Sequence, residues 1–146
     1  MRLRPVGEVS RVGGDRAVLM IYEKYRECLE GLEDFSHVWV IWWGHESDRS
    51  VTRVRPLHGE APVIVGVFAS RSPDRPNPVL LTLCRLVDVD AERGRVEVEG
   101  IDAREGSPVI DLKPYIPDCD GPEGEVRLPG WLKRARRPPR TRSRRR

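Results

Sequence analysis

Three short polar stretches of this chain stand at the ends of apolar runs, the arrangement from which ligand sites are commonly built. His45-Glu46 follows Phe35–Trp43, the stretch from Arg71 to Asn77 follows Val63–Phe68, and Arg104-Glu105-Gly106-Ser107 follows Arg95–Ile101. Guanidinium groups suit carboxylates and phosphates, carboxylates suit cations, and a polar turn offers backbone hydrogen bonds. If the preceding strands neighbour one another, the three exits meet at one rim and enclose a small ligand.

The middle stretch, Phe68-Ala69-Ser70-Arg71-Ser72-Pro73-Asp74-Arg75-Pro76-Asn77-Pro78, sets the terms for the rest. Its three prolines restrict φ at their own positions and push Ser72, Arg75 and Asn77 out of the helical region. The expectation is a stiff, extended loop that displays two arginines and an asparagine.

The elements that must carry these exits read mainly as strands. Leu3–Val12 and Arg16–Tyr22 flank a Gly-Gly-Asp turn and predict a hairpin, and Val79–Val89 with Arg95–Ile101 predict a second. Phe35–Trp43 is aromatic and β-branched with little alternation, so a strand buried on both faces is expected. Val63–Phe68 reads as another strand. Val109–Pro117 carries prolines and is expected at a sheet edge. Tyr25–Leu32 predicts a single short helix stopped by Gly31, and Arg49–Glu60, charged and broken by Pro56 and Gly59, a mobile surface loop. Closely spaced strands with so little helix predict a mainly β protein, an antiparallel single-sheet β-barrel over residues 1–128 with a basic, disordered tail over 129–146.

Of the 26 Lys and Arg and 23 Asp and Glu, ten of the basic residues and none of the acidic ones fall in 127–146, leaving 16 against 23 before them, a net of −7. An acidic body with a basic tail implies that the tail brings a polyanion to a domain that otherwise repels it. No apolar run is long enough to span a bilayer, and no signal-like segment follows Met1, so no membrane partner and a cytoplasmic location are expected. Cys28, Cys84 and Cys119 are odd in number and lack CxxC spacing, which predicts reduced packing residues, and no metal-ligand pattern joins them to His37, His45 or His58.

Three blocks, Phe35-Ser36-His37-Val38-Trp39-Val40, Phe68 to Pro78, and Gly106 to Pro117, resemble in content and order the TsaA-like (TrmO) family, over roughly Leu3 to Asp120. The resemblance implies a single-sheet β-barrel that binds S-adenosyl-L-methionine, works as a homodimer, and methylates N6 of threonylcarbamoyl-adenosine beside the anticodon of tRNA. Carried over position by position, it implies cofactor contacts at His45, Glu46, Arg71, Leu81, Arg104, Glu105, Gly106 and Ser107. Two departures stand out: Leu80 replaces the family's usual glycine after Asn-Pro-Val, and the N-terminal loop is shortened to Arg11–Arg16, so no cofactor residue is assigned before His45.

The residue chemistry agrees with that cofactor. Arg71 suits its carboxylate, the Arg104–Ser107 turn offers backbone partners to adenine, and Glu46 or Trp43 suits the sulfonium. An acylated acceptor nitrogen calls for a general base, and Asp111, Asp102, His45 and Tyr115 are the candidates, with Asp111 placed first. Asp111 also reads as a polar partner of Lys113, and the tryptophans as core. Two other functions fit the same residues: a methyltransferase of this barrel with another RNA or a small-molecule acceptor, and a non-catalytic RNA-binding barrel.

Overall fold

A computed structural model describes residues 1–134, so most of the basic tail falls outside the described residues. The strands are β1 (Gly7–Gly13), β2 (Arg16–Ile21), β3 (His37–Trp43), β4 (Arg53–Val54), β5 (Val65–Gly66), β6 (Val79–Asp90), β7 (Arg95–Glu99) and β8 (Pro108–Pro114). Six of them close into one antiparallel barrel in the order β1-β2-β7-β6-β3-β8, while β4 and β5 pair separately as a small arm. Both expected hairpins form, β1 with β2 and β6 with β7. Gly14 takes the left-handed turn position of the first at φ 63° and Gly94 that of the second at φ 68°.

Period-two alternation puts Val9, Leu19, Val38, Val40, Cys84, Val96, Val98 and Val109 wholly inside the barrel. Each such side chain contributes about 1.5–3 kcal/mol relative to exposure. β3 departs from the expectation of burial on both faces. Val38, Val40 and Trp42 point inward, whereas His37, Trp39, Ile41 and Trp43 are only half-buried, because among the described residues no helix or second sheet layers over this outer face. β8 is likewise no edge strand: it pairs with β3 on one side and β1 on the other. Its prolines, Pro108 and Pro114, sit at the first and last positions, where a missing N–H does least harm to the ladder.

The expected short helix is a tight 3-10 segment at Glu23–Leu29, and Gly31 at φ 85° ends it as anticipated. Leu29 joins the barrel core from this segment, and Leu32 from a second 3-10 segment at Leu32–Asp34. Short α-turns at Pro117–Asp120 and Gly130–Arg134 complete the described residues.

Two further corrections bear on the site. The run Val63–Phe68 supplies only the two residues of β5, paired with β4, and then turns through a 3-10 segment at Val67–Ala69. Arg49–Glu60, expected as a mobile loop, holds β4 and a turn in which Leu57, His58 and Gly59 are all left-handed. β6 is long enough to serve two partners: Val79–Arg85 pair with β3, and Arg85–Asp90 with β7. β7 stops at Glu99, opposite Arg85, so from Val79 to Cys84 β6 has a ladder partner on one side only.

Candidate functional site

A cavity of about 930 Å³ opens where β6 lacks its second partner. Leu80, Leu81 and Thr82 of β6 form one wall, Gly100 to Arg104 another, and the β1–β2 turn a third through Val12, Gly14 and Asp15. His45, Glu46 and Arg71 stand on the same cavity, as does the almost fully buried Ser107. The three polar exits therefore meet. Inside, Trp42 donates its indole N–H to Thr82 Oγ1 at 3.1 Å, fixing the ring against the barrel wall.

Two loops form the outer lip, and they are tied together. Asp74 accepts the Asp48 N–H at 2.8 Å, and Arg49 donates to the Pro76 carbonyl at 2.8 Å and to Asn77 Oδ1 at 3.1 Å while lying over the Trp43 ring. Asp48 accepts from the Ser50 hydroxyl and N–H, and these bonds hold its carboxyl below the usual range. Arg75 does not display its charge as the sequence suggested. Its guanidinium turns back onto the carbonyls of Val67, Ser70 and Ser72 at 3.0, 2.6 and 2.7 Å. Asn77 is occupied by Arg49. Of the three displayed groups expected, only Arg71 has no hydrogen bond or ion pair to another described residue, and it faces the cavity.

Across the opening, Arg104 pairs with Glu46, and His45 Nε2 lies 4.0 Å from the same carboxylate. This contact joins the exit of β3 to the turn before β8. Within that turn Ser107 donates its hydroxyl and its N–H to the Arg104 carbonyl at 2.6 and 3.1 Å. Gly106, left-handed at φ 84°, gives its N–H to Val9, and the Glu105 carboxylate accepts the Val12 N–H at 3.0 Å. Glu105 and Gly106 thus fasten the turn to β1, while Arg104 and Ser107 line the cavity. The amides at 106 and 107, expected to be open to adenine, are already bonded within the protein.

The candidate bases separate. Asp102 and His45 line the cavity, and Asp102 has no hydrogen bond to another described residue. Asp111 lies on a second, smaller cavity of about 300 Å³ beneath the 3-10 segment, stands opposite Ile41 of β3, and pairs with Lys113 at 3.0 Å. Tyr115 packs its ring against Trp39 and His37. The Cys84 thiol is pushed up to about 12 by burial and, secondarily, by the Asp102 carboxylate. Among the described residues no His, Cys, Asp or Glu side chains gather as metal ligands would.

Sequence reasoning missed the β1–β2 turn, to which it assigned no contact. The signal was present in Asp15 beside two glycines, yet only the long-range pairing of β2 with β7 carries that turn to the far end of β7. Leu80, singled out as a departure, lines the cavity. A Cβ on Gly44 would meet its Cδ1 at 3.2 Å and Ser47 Oγ at 2.5 Å, so Gly44 lets the chain leave β3 close to that side chain.

The sequence pattern of the tRNA-methyltransferase O N-terminal domain matches residues 8–121. The chain belongs to the TrmO family. An S-adenosyl-L-methionine-binding protein of Archaeoglobus fulgidus is 40% identical over 102 residues, 70% of each chain. The tRNA (adenine(37)-N6)-methyltransferase of Homo sapiens is 41% identical over 107 residues, which are 70% of this chain and 23% of that enzyme. The crystal structure of TrmO from Pseudomonas aeruginosa superposes with a TM-score of 0.67 at 29% identity, covering 86% of this chain and 60% of that one. This TrmO-family chain therefore spans about a quarter of the human relative and three fifths of the bacterial one. The match ends at residue 121 and leaves the basic tail outside it.

Proposed function

We propose that this protein is an S-adenosyl-L-methionine-dependent methyltransferase acting on N6 of the threonylcarbamoyl-adenosine beside the anticodon of tRNA. The observation that carries the reading is the single cavity on which Arg71, Glu46, Asp102 and Ser107 meet, in a chain whose relatives are named for S-adenosyl-L-methionine binding and for tRNA (adenine(37)-N6) methylation.

The residues present fit the cofactor. The cavity has the size range of small-ligand sites. Arg71, with no partner among the described residues, takes a carboxylate. Leu80, Leu81 and Ile101 offer the apolar slot a purine needs, and the open side of β6 offers backbone groups beside it. Asp102, and Glu46 beside Arg104, are the carboxylates on the cavity that would face a sulfonium. When bound, S-adenosyl-L-methionine supplies an electrophilic methyl group.

The chain's own part is largely alignment, since an in-line displacement gains most from a nucleophile held close and straight. The tied lip of Arg49, Asp74 and Arg75 keeps Arg71 in place. Removal of the N6 proton falls to Asp102 or His45, which line the cavity. Asp111, beside Lys113 on the smaller cavity, takes such a part only if a second copy brings it to this one. Val79, Leu81 and Leu83, each between 39% and 45% exposed, form an apolar strip beside the half-buried Trp39, Ile41 and Trp43, which supports the homodimer. The cytoplasm, where tRNA is available, is the matching location.

Mass spectrometry of nucleosides from tRNA incubated with the protein and cofactor tests the reading. A threonylcarbamoyl-adenosine heavier by one methyl is expected. Cofactor binding with methylation of another acceptor points to a different methyltransferase on this barrel, and tRNA binding without turnover on any acceptor points to a binding module.

A further inference from the structure

Phe68 is 88% exposed, more than any other large apolar residue among the described ones except Met1. It does not hang on a loose segment. Val67 just before it is buried, and its N–H donates to the Thr52 carbonyl at 2.9 Å. Just after it, Ser70 returns its N–H and its hydroxyl to the Val67 carbonyl at 3.1 and 2.8 Å. Arg75 bonds the carbonyls on both sides of the turn, Val67 and Ser70. A half-buried guanidinium is thus committed to fixing a turn whose one large side chain points into water.

Two arginines stand close to that turn, one along the chain and one across the ladder. Arg71 follows three residues later, within about 11 Å along even a fully extended chain, and lines the cavity. Arg53 stands opposite Gly66 in the ladder of the arm, exposed, and its guanidinium has no hydrogen bond or ion pair to another described residue. An exposed aromatic side chain on a fixed backbone, with guanidinium groups nearby, is what single-stranded RNA requires: bases stack on the ring whatever their identity, and the cations take the phosphates.

We infer that Phe68 is a stacking platform for an unpaired nucleobase next to the adenosine entering the cavity, with Arg53 as its phosphate partner. The inference rests on the tRNA reading above and adds the residue that grips the flanking nucleotide. By fixing the backbone of the turn, Arg75 lowers the entropy lost in ordering this segment when RNA arrives.

The test compares Phe68→Ala, Phe68→Leu and Phe68→Trp by tRNA titration, methyl-transfer kinetics, cofactor calorimetry and sedimentation. Ala and Leu are expected to raise both the Kd and the KM for tRNA on the order of ten-fold, Trp to keep them at or below the wild-type values, and none to alter cofactor affinity or sedimentation. Leu is decisive because it keeps the apolar bulk and loses the π-face. Full tRNA affinity in Phe68→Leu, or a shift of Phe68→Ala toward a smaller species, overturns the inference, the latter assigning Phe68 to a contact between copies. Wild-type protein that transfers no methyl to tRNA defeats the functional reading separately, while the titration still judges Phe68.

Discussion

Arg71, which follows the β4–β5 arm, and Ser107, the residue before β8, line the same cavity although no strand pairing joins their segments. The barrel order brings them together: β6 lies beside β3, β3 beside β8, and the lip loop leads directly into β6.

Arg71→Ala removes the cavity cation that lacks a partner among the described residues. A hydrogen bond to a charged group contributes about 1.5–3 kcal/mol, so calorimetry should show cofactor affinity falling by ten-fold or more. Thermal stability should not change, because the side chain holds nothing else in place. Unchanged affinity removes Arg71 from the cofactor site.

Arg75→Lys tests the lip. A lysine ammonium cannot span three carbonyls as the planar guanidinium does, so the turn loosens and about 1.5–3 kcal/mol of stability goes with it. Cofactor affinity should fall alongside, and added guanidinium ion should partly restore it in Arg75→Ala. Full affinity in a destabilised Arg75→Lys variant means that the lip does not position Arg71.

Cys84 sets a limit at alkaline pH. Its thiol titrates near 9 when unfolded and is pushed up to about 12 in the barrel, so between those values the unfolded state has lost a proton that the folded state keeps. The stability is fully present below about 9 and declines as pH rises toward 12. Cys84→Ala should flatten that decline in denaturant titrations. In the native protein a thiol reagent should label the exposed Cys28 and Cys119 and spare Cys84.

Trimming the chain after Trp131 removes nine of its basic residues. If the tail binds tRNA phosphates, affinity drops and the slope of log K against log salt becomes shallower, by about 0.7 for each single-stranded phosphate that the tail neutralises. Cofactor affinity should remain as it was. Identical slopes for trimmed and full chains rule the tail out as a phosphate-binding segment.

Alternating valines and turn glycines were enough to announce the barrel and both hairpins, because period-two patterning and left-handed turns are local matters that neighbouring residues decide. Val63–Phe68 misled for the same reason: an apolar run does not say whether the chain will find a partner strand, and here only two residues did. Trp39 and Trp43 read as buried until the closed barrel left their face half-open. Proline and arginine composition marked the lip, but not which arginine it would consume.

The sequence by itself determined that Glu46, Arg71 and Ser107 stand in polar stretches between strands, since charges, prolines and glycines interrupt the apolar runs there. Only the tertiary structure decided that these ends share one cavity, that the β1–β2 turn joins them, that Arg75 is engaged by backbone carbonyls, and that Asp111 lies on another cavity. The physical reason is register. A strand's partners, and the point at which β7 stops and leaves β6 open, depend on pairing between residues far apart in the chain, which no local pattern encodes.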